Sequence, residues 1–349
     1  MKILRLYTRL PPLLGGMENH IAQLTREQIK LGHEVRIYFN QGLCVTDKDI
    51  QITKIPLFKL RPQFIGVLIF HFLVLIKLLI NREKFDLIHI HGDWSSMVFS
   101  KIIKTLTNAE KIVVTIHDQV SENFFKQKLL SLFLRFVDII FTTGFKAANQ
   151  IKNLTHKKII VQPSGVNEIF FSDFKKKFND KSFSVLTVAN LLPKKKLELV
   201  LEIAKALNEF SFVIVGEGKN RKVLENIIQR GEINNVELVG YKNPKIVKKY
   251  YIESDCYLLT SEEEGTPTSI LEAMACGLPI VCSNAGGVKP ILGGSNCVIE
   301  KGNINQFIDC LLKFSSNSQL RNDVSKKNII KSKEYTWKNV VFNIDKCIK

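Results

Sequence analysis

Two glutamates, Glu264 and Glu272, flank the predicted start of one helix. The helix follows an apolar run at residues 256–260 that is typical of a buried strand, so Glu264 lies in the intervening loop and Glu272 in the second helical turn. Because helical side chains lean toward the N-terminus, both carboxylates would lie beside the unpaired backbone amides near Thr268 and Ser269. Such amides favour an anion, above all a phosphate.

The residues around this helix agree with that prediction. Thr266 is a suitable N-cap, Pro267 suits the first helical position, and Gly277 stands where a glycine commonly ends a helix. Two carboxylates beside a phosphate site would bind hydroxyl groups of a ribose or a sugar attached to that phosphate. A nucleotide sugar carries both, although an acidic loop and one solvated helix glutamate remain the alternative reading of the spacing alone.

The elements that position these residues follow an α/β pattern along all 349 residues. Short apolar runs alternate with helical patterns, and the length is enough for two domains with cores of their own. Breaks at residues 162–167 and 173–181 predict domains at 1–164 and 165–349, with the last helix able to pack back on the first domain. We therefore expect two doubly wound parallel-sheet domains that face a central cleft. The predicted strands are 3–7, 35–39, 87–90, 112–116, 139–141 and 159–161, then 185–189, 212–215, 236–239, 256–260, 280–282 and 298–299.

The net charge of the protein indicates its binding partners, and the cysteine content indicates its cellular compartment. The formal net charge is +17, and residues 1–165 contribute +11 of it from 23 Lys/Arg and 12 Asp/Glu. This balance indicates an anionic partner such as anionic lipid or a phosphorylated substrate, or merely a solvated lysine-rich surface. Seven cysteines contain no Cys-x-x-Cys pair, which predicts a cytoplasmic protein without structural zinc. We expect no nucleic-acid partner, since no basic stripe with aromatic platforms occurs.

Residues 64–80 form an apolar run interrupted only by His71 and Lys77. The run is shorter than the roughly 20 residues that a membrane span needs, so it predicts a helix within the first domain. Cations at Arg61, Arg82 and Lys84 would also suit a helix that lies on an anionic membrane surface. Both placements, buried helix and peripheral membrane contact, stay open.

Several motifs resemble those of the retaining family 4 glycosyltransferases, which have the GT-B fold. The segment from Glu264 to Glu272 resembles their E-x7-E signature. The likeness extends in the right order through GGME at 15–18, HIHG at 89–92, TIHD at 115–118, PSGVN at 163–167 and VGEG at 215–218.

The resemblance implies a role for each matching position. Glu264, Lys195 and His117 would be the catalytic residues, with Glu264 on donor-sugar hydroxyls and His117 also touching the donor sugar. Glu272 would hold the nucleotide ribose. The remaining implied contacts to the donor are Asn190, Thr268, Ser269, Gly265 and Gly216, and the loop at Gly15 and Gly16 would meet the diphosphate or the acceptor.

Two positions depart from the family pattern. Asn190 occupies the place of an arginine that reaches the diphosphate, and an amide lacks the charge and the bidentate fork of a guanidinium. Lys195 holds the second cationic position, with Lys194 and Lys196 beside it. Lys289 and Pro290 stand where the family usually has an acid, at a position that would bear on the donor pocket.

The resemblance therefore implies a retaining glycosyltransferase that moves a sugar from a UDP- or GDP-type donor to a growing cell-surface glycan or a lipid-linked acceptor. We expect neither cofactor nor metal, because lysines and amides can stabilise the leaving diphosphate and the Asp47-Lys48-Asp49 triplet reads as solvated surface. A nucleotide-sugar epimerase on the same fold and a degenerate sugar-nucleotide-binding protein are the alternatives. A dinucleotide-binding enzyme is disfavoured, since Arg221 replaces the third glycine after Gly216 and Gly218.

Overall fold

The computed structural model describes residues 1–10, 16–42, 51–57, 63–117, 120–171, 178, 182–300 and 302–348. The chain forms two compact units, one comprising Met1–Gly165 with Trp337–Lys349 and the other Val166–Thr336. The predicted boundary between 164 and 165 differs from these units by one residue, and the final helix, predicted within 165–349 but able to pack back, belongs to the first unit.

A seven-stranded parallel sheet forms the centre of the first unit. Its strands lie in the order β3-β2-β1-β4-β5-β6-β7, which is the doubly wound topology. The sequence predicted six of these strands and missed β3, a short edge strand whose mostly exposed residues form no apolar run. The elements are β1 (Lys2–Leu6), α1 (Gly16–Lys30), β2 (Glu34–Phe39), β3 (Gln51–Lys54), α2 (Gln63–Asn81), β4 (Leu87–His91), α3 (Trp94–Met97), α4 (Ser100–Thr107), β5 (Lys111–Ile116), α5 (Phe124–Leu134), β6 (Ile139–Thr142), α6 (Phe145–Lys152) and β7 (Ile159–Val161).

The second unit contains a six-stranded parallel sheet in the order β10-β9-β8-β11-β12-β13. The predicted fold class, two doubly wound parallel sheets with helices, is thus confirmed. The elements are β8 (Ser184–Val188), α7 (Leu197–Ala206), β9 (Ser211–Val215), α8 (Arg221–Gly231), β10 (Val236–Gly240), α9 (Pro244–Glu253), β11 (Cys256–Leu259), α10 (Thr268–Ala275), β12 (Ile280–Ser283), α11 (Val288–Leu292), β13 (Cys297–Ile299), α12 (Ile304–Ser316) and α13 (Ser318–Ser332). Short 3-10 turns occur at Glu168–Phe170, Pro193–Lys195, Gly293–Ser295 and Lys333–Tyr335.

The last helix, α14 (Trp337–Ile348), completes the core of the first unit. Its buried stripe includes Val340 and Ile344, which join Ile21 and Leu24 of α1 in one apolar cluster. The α14 stripe has the spacing of a helix with one buried side, so its burial requires a partner surface. That surface lies on the first unit, which is why the second unit ends at Thr336 although the chain continues.

The two faces of the first sheet carry different helices. Alternate strand residues such as Leu4 and Leu6 share one apolar cluster with residues of α2, α3, α4 and α5, whereas Ile3 lies in the cluster with α1 and α14. Within the described residues, α2 is the one helix long and apolar enough to cross a membrane by length and composition. Of the most apolar 18-residue stretch of α2, 28% is buried.

Candidate functional site

Loops at the carboxyl ends of β8, β9, β11 and β12 build the candidate site of the second unit. The Lys195 ammonium, in the loop after β8, donates to Glu264 Oε1 in the loop after β11 at 2.5 Å. Both side chains are largely shielded from water, with 16% and 9% exposed. A charge-assisted contact in such a place is stronger than one at the surface, so the pair holds both loops in register.

Backbone contacts reinforce the same two loops. The Thr260 hydroxyl lies 3.0 Å from the Lys195 carbonyl oxygen and 2.9 Å from the Lys196 carbonyl oxygen, and these two acceptors share its proton. The Glu262 amide donates to the Lys194 carbonyl at 2.9 Å. Lys196 adopts a left-handed conformation at φ +48°, which allows α7 to begin immediately after this turn.

Two glycines permit the loops to approach closely. A Cβ added to Gly216, after β9, would lie 1.9 Å from the Ala189 carbonyl oxygen. A Cβ added to Gly286, after β12, would lie 2.3 Å from the Glu264 carbonyl oxygen, and Gly286 has φ +69°. Both positions therefore require glycine for space, and the left-handed Gly286 requires it for conformation as well.

Helix α10 begins at Thr268, directly after the loop that carries Glu264 and Gly265. The predicted capping was wrong by one residue, because Pro267 occupies the N-cap and Thr266 lies before it. Pro267 has no side-chain acceptor, so the first amides of α10, at Thr268 and Ser269, lack a bond from the N-cap side chain. The predicted start of a helix after β11 is confirmed, and the anion site at its first amides stays a prediction.

Glu272 lies in the second turn of α10 and contacts a residue that the sequence did not single out. The Tyr251 hydroxyl, on α9, lies 3.0 Å from Glu272 Oε2 and 3.1 Å from the Ser269 carbonyl oxygen, so its single proton is shared between these two acceptors. Burial raises the pKa of Glu272 to about 7, against the opposing effect of this hydrogen bond. Burial also raises the pKa of Tyr251 well above its usual value, so the hydroxyl keeps its proton and remains a donor.

The two departures from the family pattern lie at the surface. Asn190 is exposed at the end of β8. The Lys289 ammonium, on α11, lies 3.7 Å from Glu300 Oε1, and more than half of each side chain is exposed. The positive charges beside the Glu264 loop include those of Lys195 and its neighbours Lys194 and Lys196.

His117 lies directly after β5 in the first unit and contacts another histidine. His117 Nε2 and His91 Nδ1 are 3.0 Å apart, and the His20 ring lies 4.8 Å from the His117 ring. Burial lowers the pKa of His117 to about 4, so the ring is neutral at pH 7. Among the described residues, the buried His91 Nε2 has no hydrogen-bond partner. A buried nitrogen without a partner costs less as a lone pair than as an N–H, so the His91 proton belongs on Nδ1, which then donates to His117 Nε2.

A buried arginine lies beneath these histidines. The Arg5 side chain, on β1, is fully buried; it donates to Gln28 Oε1 at 2.5 Å and also to Thr25 Oγ1. It lies 3.3 Å from His89 Nδ1, whose other ring nitrogen is 2.7 Å from Thr115 Oγ1. Burial and the nearby Arg5 charge lower the pKa of His89, so His89 stays neutral and accepts from Arg5.

The N-terminal glycine loop lies partly outside the described residues, and Gly15 is among those not described. Gly16 begins α1, and the buried Glu18 carboxylate in its first turn lies 3.0 Å from Arg9 Nε. Asp47 and Asp49 also lie outside the described residues. Within the described part of the chain, no group of three or more His, Cys, Asp or Glu is placed to hold a metal ion.

Two family models and several known proteins match this chain in sequence. Residues 168–330 match the family "Glycosyl transferases group 1", and residues 14–168 match "Glycosyltransferase Family 4". A human subunit of phosphatidylinositol N-acetylglucosaminyltransferase is 26% identical over 355 residues, which cover 96% of this chain and 73% of the human protein. The Escherichia coli UDP-Gal:alpha-D-GlcNAc-diphosphoundecaprenol alpha-1,3-galactosyltransferase is 29% identical over 308 residues, or 77% of this chain and 75% of that protein.

Solved structures share the fold over the whole chain. HepE of Anabaena in complex with UDP superposes with a TM-score of 0.82 at 16% identity, covering 100% of this chain and 99% of HepE. The lipopolysaccharide outer core galactosyltransferase WaaB gives a TM-score of 0.75 at 17% identity, with coverage of 100% and 99%.

Proposed function

Because the chain belongs to the family 4, group 1 glycosyltransferases, we propose that it transfers a sugar from a UDP-sugar to a hydroxyl of a glycan or lipid-linked acceptor with retention of configuration. The contact of Lys195 with Glu264 beside the start of α10 is the observation that carries this proposal. It brings together a cation for phosphate, a carboxylate for hydroxyl groups and a helix N-terminus.

The leaving diphosphate is the group that needs stabilisation. As the bond between the anomeric carbon and the bridging oxygen breaks, negative charge grows on the diphosphate. Lys195 and the amides at Thr268 and Ser269 stabilise this charge, and Asn190 supplies no charge of its own. The acceptor oxygen bonds to the anomeric carbon on the face that the diphosphate leaves, and its proton passes to the departing phosphate oxygen.

Carboxylates orient the two ends of the donor. Glu264 accepts hydrogen bonds from sugar hydroxyls, and Glu272, held by Tyr251, accepts them from the ribose. Uridine is the favoured base because HepE binds UDP and the E. coli relative is named for UDP-galactose. His117 makes the last of the proposed contacts to the donor. Gly265 and Gly216 shape the loops of the second unit.

The reaction needs no metal or cofactor in this proposal. Lys194, Lys195 and Lys196 provide the positive charge that a divalent cation would otherwise supply to a diphosphate. Turnover is accordingly expected to survive EDTA unchanged, and loss of activity that Mg²⁺ or Mn²⁺ restores would contradict this part of the proposal.

The departure at Asn190 favours one rival, a protein that binds a sugar nucleotide without turnover. Thermal shifts with UDP, GDP and UDP-sugars separate the base preference from catalysis. A ligand at a hundredfold excess over its Kd stabilises the native state by about 2.7 kcal/mol. We expect UDP to stabilise the wild type and to stabilise Glu272→Ala less.

Turnover then tests catalysis. We expect Lys195→Ala and Glu264→Ala to lose at least about a hundredfold in turnover, the range measured for single charge-stabilising groups. Lys205→Ala, which removes an exposed lysine of α7, is the matched control and should keep wild-type turnover. Wild-type rates in both site variants would overturn the assignment, binding without turnover would favour the binding protein, and sugar conversion without acceptor would favour an epimerase.

A further inference from the structure

One face of the first unit exposes an unusual number of large apolar side chains. Helices α2, α3, α4 and α5 bury their inner sides on the same face of the sheet, in one cluster with Leu4 and Leu6 of β1. We call the outer side of these helices the α2–α5 face. Its exposed apolar residues are Phe64, Ile65, Phe72, Ile76, Leu79 and Ile80 on α2, Ile102 on α4, Phe124, Phe125 and Leu132 on α5, and Phe136 just after α5.

Two adjacent phenylalanines are among the most exposed side chains of this face. Phe124 and Phe125, at the start of α5, are 78% and 68% exposed. Largely exposed phenylalanines next to each other are costly in water, since each large aromatic contributes about 1.5–3 kcal/mol when buried. An apolar surface of this extent marks a site of contact with another molecule or with a membrane.

The charged side chains of these four helices have one sign. Helices α2, α3, α4 and α5 contain no Asp or Glu. Their five lysines are Lys77, Lys101, Lys104, Lys126 and Lys128. Lys104 pairs with Asp138 at 3.0 Å, whereas Lys77, Lys101, Lys126 and Lys128 are exposed. Helices that expose apolar side chains and lysines, and that contain no Asp or Glu, are typical of a membrane interface.

Two other occupants fit less well. A second copy of this face would bring lysines against lysines with no carboxylate from these helices to balance them. A transmembrane position for α2 would remove Phe70, Val74 and Leu78 from the core of the first unit, where all three are buried.

We propose that the α2–α5 face docks on the surface of an anionic lipid bilayer. Phe124, Phe125 and the outer side of α2 enter the boundary between headgroups and acyl chains, and the lysines contact anionic headgroups. The inference rests on this face alone and does not depend on the proposed sugar transfer. It extends the peripheral contact expected for residues 64–80 to α4 and α5, which the sequence did not single out.

Vesicle co-sedimentation tests the proposal with the full chain. We expect the wild type to bind vesicles of phosphatidylcholine with phosphatidylglycerol more tightly than phosphatidylcholine alone, and salt to weaken the difference. The double variant Phe124→Ser/Phe125→Ser should lose at least about tenfold in vesicle affinity. The double variant Lys126→Glu/Lys128→Glu should lose the preference for anionic vesicles. Phe342→Ser is the matched control, since Phe342 is 65% exposed on α14, against the opposite face of the sheet, and should bind as the wild type does.

Fluorescence reports which face meets the lipid. Trp94 packs beside Phe64 with ring centroids 5.8 Å apart, whereas the other tryptophan, Trp337, is buried with α14. Brominated lipids should quench the wild type and leave Trp94→Phe largely unquenched.

The outcomes are distinct. Absence of vesicle binding by the wild type, or wild-type binding by the phenylalanine variant, would overturn the proposal. A dimer seen by light scattering that Phe124→Ser/Phe125→Ser dissociates, without vesicle binding, would assign the face to self-association instead. The UDP thermal shift should be unchanged in these variants, so failure here is separable from failure of the proposed transfer reaction.

Discussion

At the scale of single residues, Glu272 is the most informative side chain of the second unit. Burial raises its pKa to about 7, and Tyr251 supplies its hydrogen bond within the chain. A carboxyl group whose pKa is higher in the folded state than in the unfolded chain makes folding less favourable as pH rises between the two values. For Glu272 this window runs from 4.5, its ordinary value, to about 7. A nucleotide that offers hydroxyl donors would offset this cost.

Glu272→Gln should therefore stabilise the unliganded protein at pH 8 and change little at pH 5. The amide keeps an acceptor for Tyr251 but never ionises, so we expect a gain of about 2 kcal/mol in unfolding free energy at pH 8. Calorimetry at both pH values measures it. The same variant should bind UDP about tenfold more weakly at pH 8, because hydrogen bonds to a charged acceptor are the stronger ones. Equal stability of the two proteins at pH 8 would show that Glu272 is not held at a raised pKa.

At the scale of elements, four post-strand loops act as one unit. Lys195 and Thr260 join the loops after β8 and β11. Gly216 lets the loop after β9 approach Ala189, and Gly286 lets the loop after β12 approach the Glu264 backbone. The position of the Glu264 carboxylate thus depends on a residue that touches no ligand in the proposed reaction.

Gly286→Ala should displace Glu264. The added Cβ would lie 2.3 Å from the Glu264 carbonyl oxygen and would also strain a left-handed backbone, at a cost of about 1–3 kcal/mol. We expect turnover to fall at least about tenfold, since small misplacements of catalytic groups have effects of this size. Steady-state kinetics and calorimetry measure both effects. Gly294→Ala is the control, because a Cβ there has open space and no positive φ; equal kinetics in both variants would contradict the dependence on loop contact.

At the scale of the whole molecule, the first unit draws its core from both ends of the chain. Ile344 of α14 is buried in one cluster with Ile21 and Leu24 of α1. Both tryptophans of the chain, Trp94 and Trp337, belong to this unit, so tryptophan fluorescence reports its unfolding selectively.

Ile344→Ala should destabilise the first unit by about 2–4 kcal/mol, the usual cost of removing a large buried aliphatic side chain. The urea midpoint of tryptophan fluorescence is the measurement. Phe342→Ala, on the exposed side of the same helix, should change the unfolding free energy by less than about 0.5 kcal/mol. A midpoint in Ile344→Ala that matches the wild type would mean that α14 adds no stability to the first unit.

The sequence alone determined the features that depend on neighbours along the chain. Apolar runs and helical spacing predicted the α/β class and twelve strands, and the loop-helix pattern around Glu264 and Glu272 predicted the helix that follows β11. Each of these signals arises within one element and its adjoining loops, where backbone conformation and side-chain periodicity are local properties. Lys195 was reached only through the resemblance to a family, because nothing in its own segment indicates a partner 69 positions away.

The tertiary structure decided what depends on contacts between distant segments. It supplied Tyr251 as the partner of Glu272, His91 as the partner of His117, the edge strand β3, and the return of α14 to the first unit. It also decided which side of each apolar helix remains exposed, and so revealed the phenylalanines of α5. A hydrophobic pattern states that a side chain favours burial, but only the packing of elements far apart in sequence determines whether a surface is there to bury it.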